Sequence, residues 1–220
     1  LLKTCFRKII KISSAVLFLF LFLFILNGTV AADQLTLTNG KSYRGEILTN
    51  SFSLKTEYAE INIQTQYLSK ITRKNTLFIL KAAENNKFSG QLQGTIKFRS
   101  DSQELNINLQ DLSSLDFSQT AKFSNNKAVS VSLTNNDYFS ANTVENGINI
   151  NTSLGSPLNI PFSKLISIEY LAAKDVYLIK RQNDSAVEAT FSQNKIVLWP
   201  AAGEIFELNL NYLKKMTFNN

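Results

Sequence analysis

The stretch Leu158-Asn159-Ile160-Pro161-Phe162-Ser163-Lys164-Leu165-Ile166-Ser167-Ile168 decides how this chain is read, because its pattern is written four times. Leu105/Ile107 runs to Leu112 and Leu115, Ile61/Ile63 to Leu68 and Ile71, and Phe206/Leu208 to Leu213 and Met216. In each copy the second member of the pair is followed by an aliphatic residue after five positions and another after three more.

Upstream of each tail the same order recurs. A small residue stands at Gly45, Gly90, Ala141 and Ala189, at spacings of 45, 51 and 48. Tyr43, Phe88, Phe139 and Val187 precede these by two positions, and Phe52/Leu54, Ile96/Phe98, Ile148/Ile150 and Ile196/Leu198 follow them. Periods near this length mark repeat architectures in which each unit is one supersecondary element. Within a unit the apolar period is two, the period of strands, and no stripe of period 3.6 persists past about two turns. The expected fold is therefore all-β: about four small, strongly bent antiparallel units at 33–73, 74–119, 120–171 and 172–220, behind an N-terminal signal helix. Asn39-Gly40 tolerates positive φ at both positions and suits a tight hairpin. Glu84-Asn85, Asn135-Asn136 and Asn183-Asp184 are its looser counterparts. Ala at the third and fourth anchor positions argues that the site requires smallness, for close approach or a sharp bend, and not positive φ.

Residues 1–32 read as a targeting segment. Lys3, Arg7, Lys8 and Lys11 form a basic start, Ala15 to Leu26 is unbroken apolar sequence, and Val30-Ala31-Ala32 offers a cleavage site. Twelve residues span only about 18 Å as a helix, against roughly 30 Å of hydrocarbon. A cleaved signal peptide is expected, with a retained anchor as the alternative; membrane contact would then be through this leader alone. Cys5, the only cysteine, precedes the apolar run, so lipidation is not expected and the exported part has no disulfide. The four basic residues leave with the leader, so the formal charge of +6 shrinks to 19 basic against 17 acidic residues. That removes the electrostatic case for a nucleic-acid partner. The expected location is periplasmic or secreted.

The order Leu35-Thr36-Leu37-Thr38-Asn39-Gly40-Lys41-Ser42-Tyr43-Arg44-Gly45, closed by a last strand over Gln64 to Thr72, resembles the small bent barrels of the Sm-like and SH3-like type. It also resembles β repeats of exported bacterial proteins, found alone or ahead of an outer-membrane barrel. Sm-like proteins hold RNA through an Asp and an Asn at one loop and a Gly-containing turn near the last strand. Here that loop is Thr49-Asn50-Ser51 and the strand Lys70-Ile71-Thr72 has no glycine, so no RNA site carries over.

The chain has no histidine. Ser-His-Asp and Cys-His catalysis and histidine metal sites are thereby excluded, and no Gly-rich phosphate loop is present. No catalytic residue, metal or cofactor is expected. Carboxylate pairs such as Asp111 with Asp116 or Glu204 with Glu207 would serve a hydrolase of envelope polysaccharide, but read better as solvated edge charges. Trp199 is the one binding candidate: it follows an inward-facing residue and so points outward, as a ligand platform or as cover for a junction between units. The function expected is that of a non-enzymatic binding or scaffold module of the bacterial cell envelope, its partner another envelope protein or a polysaccharide. A carboxylate-dependent hydrolase and a membrane-anchored subunit of an envelope complex are the alternatives.

Overall fold

The computed structural model describes residues 32–101, 103–123, 128–153, 155 and 157–219. The expected leader therefore lies, apart from Ala32, outside the described residues. The described residues are all-β, with twenty antiparallel strands among them linked in one hydrogen-bonded network.

In chain order the strands are β1 (Asp33–Leu37), β2 (Ser42–Ile47), β3 (Ser51–Lys55), β4 (Glu60–Gln64) and β5 (Leu68–Lys74). Next come β6 (Leu77–Ala82), β7 (Lys87–Gln93), β8 (Thr95–Ser100), β9 (Gln103–Asn108) and β10 (Leu112–Asp116). The second half holds β11 (Val129–Leu133), β12 (Tyr138–Thr143), β13 (Gly147–Thr152), β14 (Leu158–Pro161) and β15 (Leu165–Leu171). It ends with β16 (Val176–Arg181), β17 (Val187–Phe191), β18 (Lys195–Pro200), β19 (Phe206–Asn209) and β20 (Leu213–Phe218). The five-residue gaps of the sequence are single 3-10 turns: Thr65–Tyr67, Leu109–Asp111, Phe162–Lys164 and Leu210–Tyr212 each end directly before a buried Leu.

Pairing does not follow chain order. In the first half the ladder reads β4-β3-β7-β6-β5-β10-β1-β2-β8-β9. The second half reads β14-β13-β17-β16-β15-β20-β11-β12-β18-β19. Each ladder is a palindrome about a central pair, β5–β10 or β15–β20. The strands of 33–73 and 74–119 are thus interleaved, with the β1–β2 hairpin lying against β8 and β10.

The switch of partner happens at the small residues. Gly45 faces Asp33 of β1, and the next residue, Glu46, already pairs with Arg99 of β8. Gly90 faces Phe78 of β6, and Gln91 pairs with Lys55 of β3. Ala141 pairs with Val129 on one side and Pro200 on the other; Ala189 pairs with Tyr177 and Thr152. A Cβ on Gly45 would sit 1.8 Å from the Arg99 carbonyl oxygen, and one on Gly90 2.5 Å from that of Lys55. Backbone therefore crosses backbone at these points, and neither glycine has positive φ. Positive φ occurs instead at Gly40, and not at Asn39, so that Thr38-Asn39-Gly40 closes a three-residue loop in place of the two-residue turn that Asn-Gly suggests. Asn85, Asn136 and Asn183 take the left-handed conformation in the counterpart turns, where a short polar side chain tolerates it.

The inward positions of both halves form one core, from Leu35 and Leu54 through Phe88 and Phe139 to Leu213 and Met216. The halves meet where β7 runs beside β12 and β4 beside the loop before β19.

Candidate functional site

The junction of the halves holds Asp137, which is 1 % exposed and sits in the turn before β12. Four donors converge on its carboxylate. The Ser89 backbone N–H donates to Oδ2 at 2.7 Å, the Ser89 hydroxyl to Oδ1 at 2.7 Å, the Tyr58 hydroxyl to Oδ2 at 3.0 Å and Asn135 Nδ2 to Oδ2 at 3.1 Å. Lys87 Nζ stands 4.0 Å from Oδ1. A buried carboxylate is tolerated when its lone pairs are filled this fully. Tyr58 is the far side of this arrangement. Burial, and then the neighbouring Asp137 charge, raise its hydroxyl well above the ordinary value of 10.0, so it stays a donor. Its backbone carbonyl accepts the Asn209 N–H at 3.1 Å, tying β19 to the same place.

In front of this network lies an open cleft of about 640 Å³. It is lined by Lys55, Thr56 and Glu57, by the β5–β6 turn from Lys74 to Leu77 with Ile79, by Lys87, Ser89, Gly90 and Gln91 of β7, and by Asn135 and Asn136. Three lysines face one glutamate among these residues, and none of the lining side chains is aromatic. The cleft sets ammonium, amide and hydroxyl groups beside the Glu57 carboxylate and the apolar Leu77 and Ile79.

Trp199 lies elsewhere, on β18 opposite Asn142, and is 51 % exposed. It does not line the cleft. Gly90 does, while Gly45, Ala141 and Ala189 stay at their strand crossings.

The four carboxylates considered for acid–base work are not gathered at one place. Asp116 is held by Lys70 at 2.7 Å and Glu207 by Lys195 at 2.7 Å, both at the surface. Glu204 accepts from Asn62 Nδ2 at 3.1 Å at the junction, and Asp111 is exposed in a 3-10 turn. Among the described residues no group of three or more carboxylate or thiol side chains is placed to hold a metal. Sequence reasoning passed over Asp137, which reads as one more polar turn residue; the available signal was its column, directly before β12 as Asn86 is before β7.

No family model, curated protein sequence or solved structure matches this chain.

Proposed function

We propose that this is an exported, non-enzymatic binding module of the bacterial cell envelope, made of four five-stranded units akin to small bent SH3-like barrels that exchange their first hairpins. The lysine-lined cleft over Asp137 is its binding site, and an acidic polysaccharide its ligand. The observation that carries this reading is the cleft's make-up: Lys55, Lys74 and Lys87 beside Asn75, Gln91, Asn135 and Asn136. Ammonium groups attract carboxylate or phosphate substituents, and amide side chains can both donate to and accept from sugar hydroxyls. A protein partner would be expected to find aromatic anchors, which this wall lacks. The basic leader and the apolar run after it support export.

Calorimetric titration with acidic and neutral oligosaccharides tests the proposal. Acidic chains should bind in a salt-sensitive way, and Lys55→Gln with Lys74→Gln should weaken them about tenfold or more. Equal binding of neutral chains, or no effect of the double substitution, would overturn it.

A further inference from the structure

The junction between the halves is built from residues that recur, with altered chemistry, at the two ends of the molecule. At the junction the turn residue before one strand contacts the residue three positions after the other's turn. Asn86 Oδ1 accepts the Ser140 N–H at 2.6 Å, and Asp137 accepts the Ser89 N–H and hydroxyl, both at 2.7 Å. Between these contacts Phe88 and Phe139 stack at 5.4 Å, and both are 0 % exposed. The strands β4 and β19 meet alongside, with Ile61 and Phe206 buried.

The ladder places two further five-strand runs outside this junction: β10-β1-β2-β8-β9 at one end, β15-β16-β17-β13-β14 at the other. Their counterpart strands are β2 with β9, and β17 with β14. In the columns of Phe88 and Phe139 these ends carry Tyr43 and Val187, each half-buried. In the columns of Ile61 and Phe206 they carry Leu105, half-buried, and Leu158, 45 % exposed. Tyr43, Leu105 and Val187 pack in part against the molecule's own core, and Leu158 is the one of the four that stands exposed.

The polar positions show which surface fits which. Where the junction has Asn86 and Ser89, the β2 end has Lys41 and Arg44. Where it has Asp137 and Ser140, the β17 end has Ser185, preceded by Asp184, and Glu188. All five side chains are exposed. Glu188 meets Lys174 at 2.5 Å and Asp184 meets Arg181 at 2.8 Å, so the acidic groups have local partners as well. Docking a β2 end on a second β2 end, by the geometry of the junction, would set Lys41 against Arg44 twice. Two β17 ends would bring Glu188 against Ser185 and Asp184. Only the mixed pairing sets Lys41 against Glu188 and Arg44 against Ser185 and Asp184. Like-charge juxtaposition disfavours the wrong pairings.

We infer that copies of this chain associate head to tail, the β2/β9 end of one on the β17/β14 end of the next, in the arrangement of its own halves but with an ion pair at Lys41 and Glu188 where the junction has the Asn86–Ser140 hydrogen bond. Such an interface is heterologous and leaves a free end at each step, so it generates an open chain or a ring. The inference concerns the ends and is independent of the cleft, and ligand titration is unmoved by its failure.

The test is a crosslinking experiment on the full-length chain produced in an exporting host, with Cys5→Ser as background. Ser42→Cys and Ala186→Cys in one chain, the exposed counterparts of the paired Lys87 and Tyr138 of the junction, keep every charge in place and, treated with a short bismaleimide, should give a ladder of dimer, trimer and higher species. Either single substitution alone should stay monomeric, and a mixture of the two should stop at dimer. Absence of the ladder overturns the inference, as does efficient dimerisation of Ser42→Cys alone. A second measurement covers poor reactivity of the cysteines. In sedimentation, Leu158→Ser with Arg44→Glu should raise the concentration for half-assembly at least fivefold, and an unchanged value would refute it. Combining Lys41→Glu with Glu188→Lys should recover assembly that Lys41→Glu alone weakens.

Discussion

Asn86 and Asp137 are related by exchange: each lies buried one residue before its strand, and each accepts the backbone N–H of the residue that follows the other by three. The two halves of the molecule are joined by this reciprocal pair around stacked Phe88 and Phe139. Amide and carboxylate therefore serve the same backbone contact, and only the carboxylate collects a tyrosine hydroxyl, a serine hydroxyl and a nearby ammonium besides.

Asp137→Asn should consequently be mild and Asp137→Ala severe. An Asn oxygen placed at Oδ2 keeps the Ser89 and Tyr58 donors, while its NH₂ faces the Ser89 hydroxyl, which can turn to accept. The expected loss is about 1 kcal/mol. Alanine orphans the Ser89 N–H and the Tyr58 hydroxyl in a buried place, at about 3 kcal/mol in total. Urea denaturation of both variants checks the ratio; equal losses would contradict the shared role of the two positions.

Tyr58 gives the junction a pH signature. Its folded value is raised above 10.0, chiefly by burial, so the unfolded chain ionises it first. The stabilisation is fully present below pH 10 and is lost as pH rises towards the folded value. Tyr177, pushed up to about 12 mainly by burial, adds to the loss in the same direction. Tyr58→Phe should cost about 2 kcal/mol at neutral pH, where the bond to a charged acceptor is lost. Above pH 10 its stability should fall less steeply than the parent's, by up to about 1.4 kcal/mol per pH unit. Parallel pH–stability curves would show that Tyr58 ionisation is not felt.

The strand crossings predict a difference between the two halves. Gly45→Ala and Gly90→Ala each drive a methyl group into a backbone carbonyl, that of Arg99 or Lys55, which cannot swing aside. A cost of about 2–3 kcal/mol follows from overpacking. Ala141→Gly and Ala189→Gly sit in register with their neighbours and lose only a buried methyl and some chain entropy, about 1 kcal/mol. Thermal melts of the four single variants decide this, and a Gly45→Ala chain as stable as the parent would show that the strands can part there.

The all-β class was legible because alternation of period two states which residues face inward: Ile61, Ile63, Leu68 and Ile71 are all buried. Alternation does not state which strand lies alongside. Nothing in Ser42 to Ile47 says that this strand leaves β1 for β8 at Gly45, because the carbonyl that demands glycine there lies more than fifty residues downstream. Asp137 was hidden for a related reason. Its neighbours Asn135 and Asn136 mark an exposed turn, and the groups that bury it, Tyr58 and Ser89, come from the other half of the molecule. Local sequence reports local backbone geometry well, and long-range cover hardly at all.

Trp199 separates those two kinds of information in one residue. It is 51 % exposed, opposite Asn142 on the outer face of β18, while Leu198 beside it is fully buried. A buried aromatic cut to alanine costs about 3–5 kcal/mol. With half its surface in water, Trp199→Ala should cost about 1–2 kcal/mol, and since the side chain does not line the cleft, acidic oligosaccharides should bind as before. Measuring denaturation and ligand titration on the same preparation distinguishes its possible roles. A loss near the full core value would mean that Trp199 holds the β12–β18 pairing together. Unchanged stability with weakened ligand binding would move the site from the lysine cleft to this face, where a half-exposed indole offers both an apolar ring and an N–H donor.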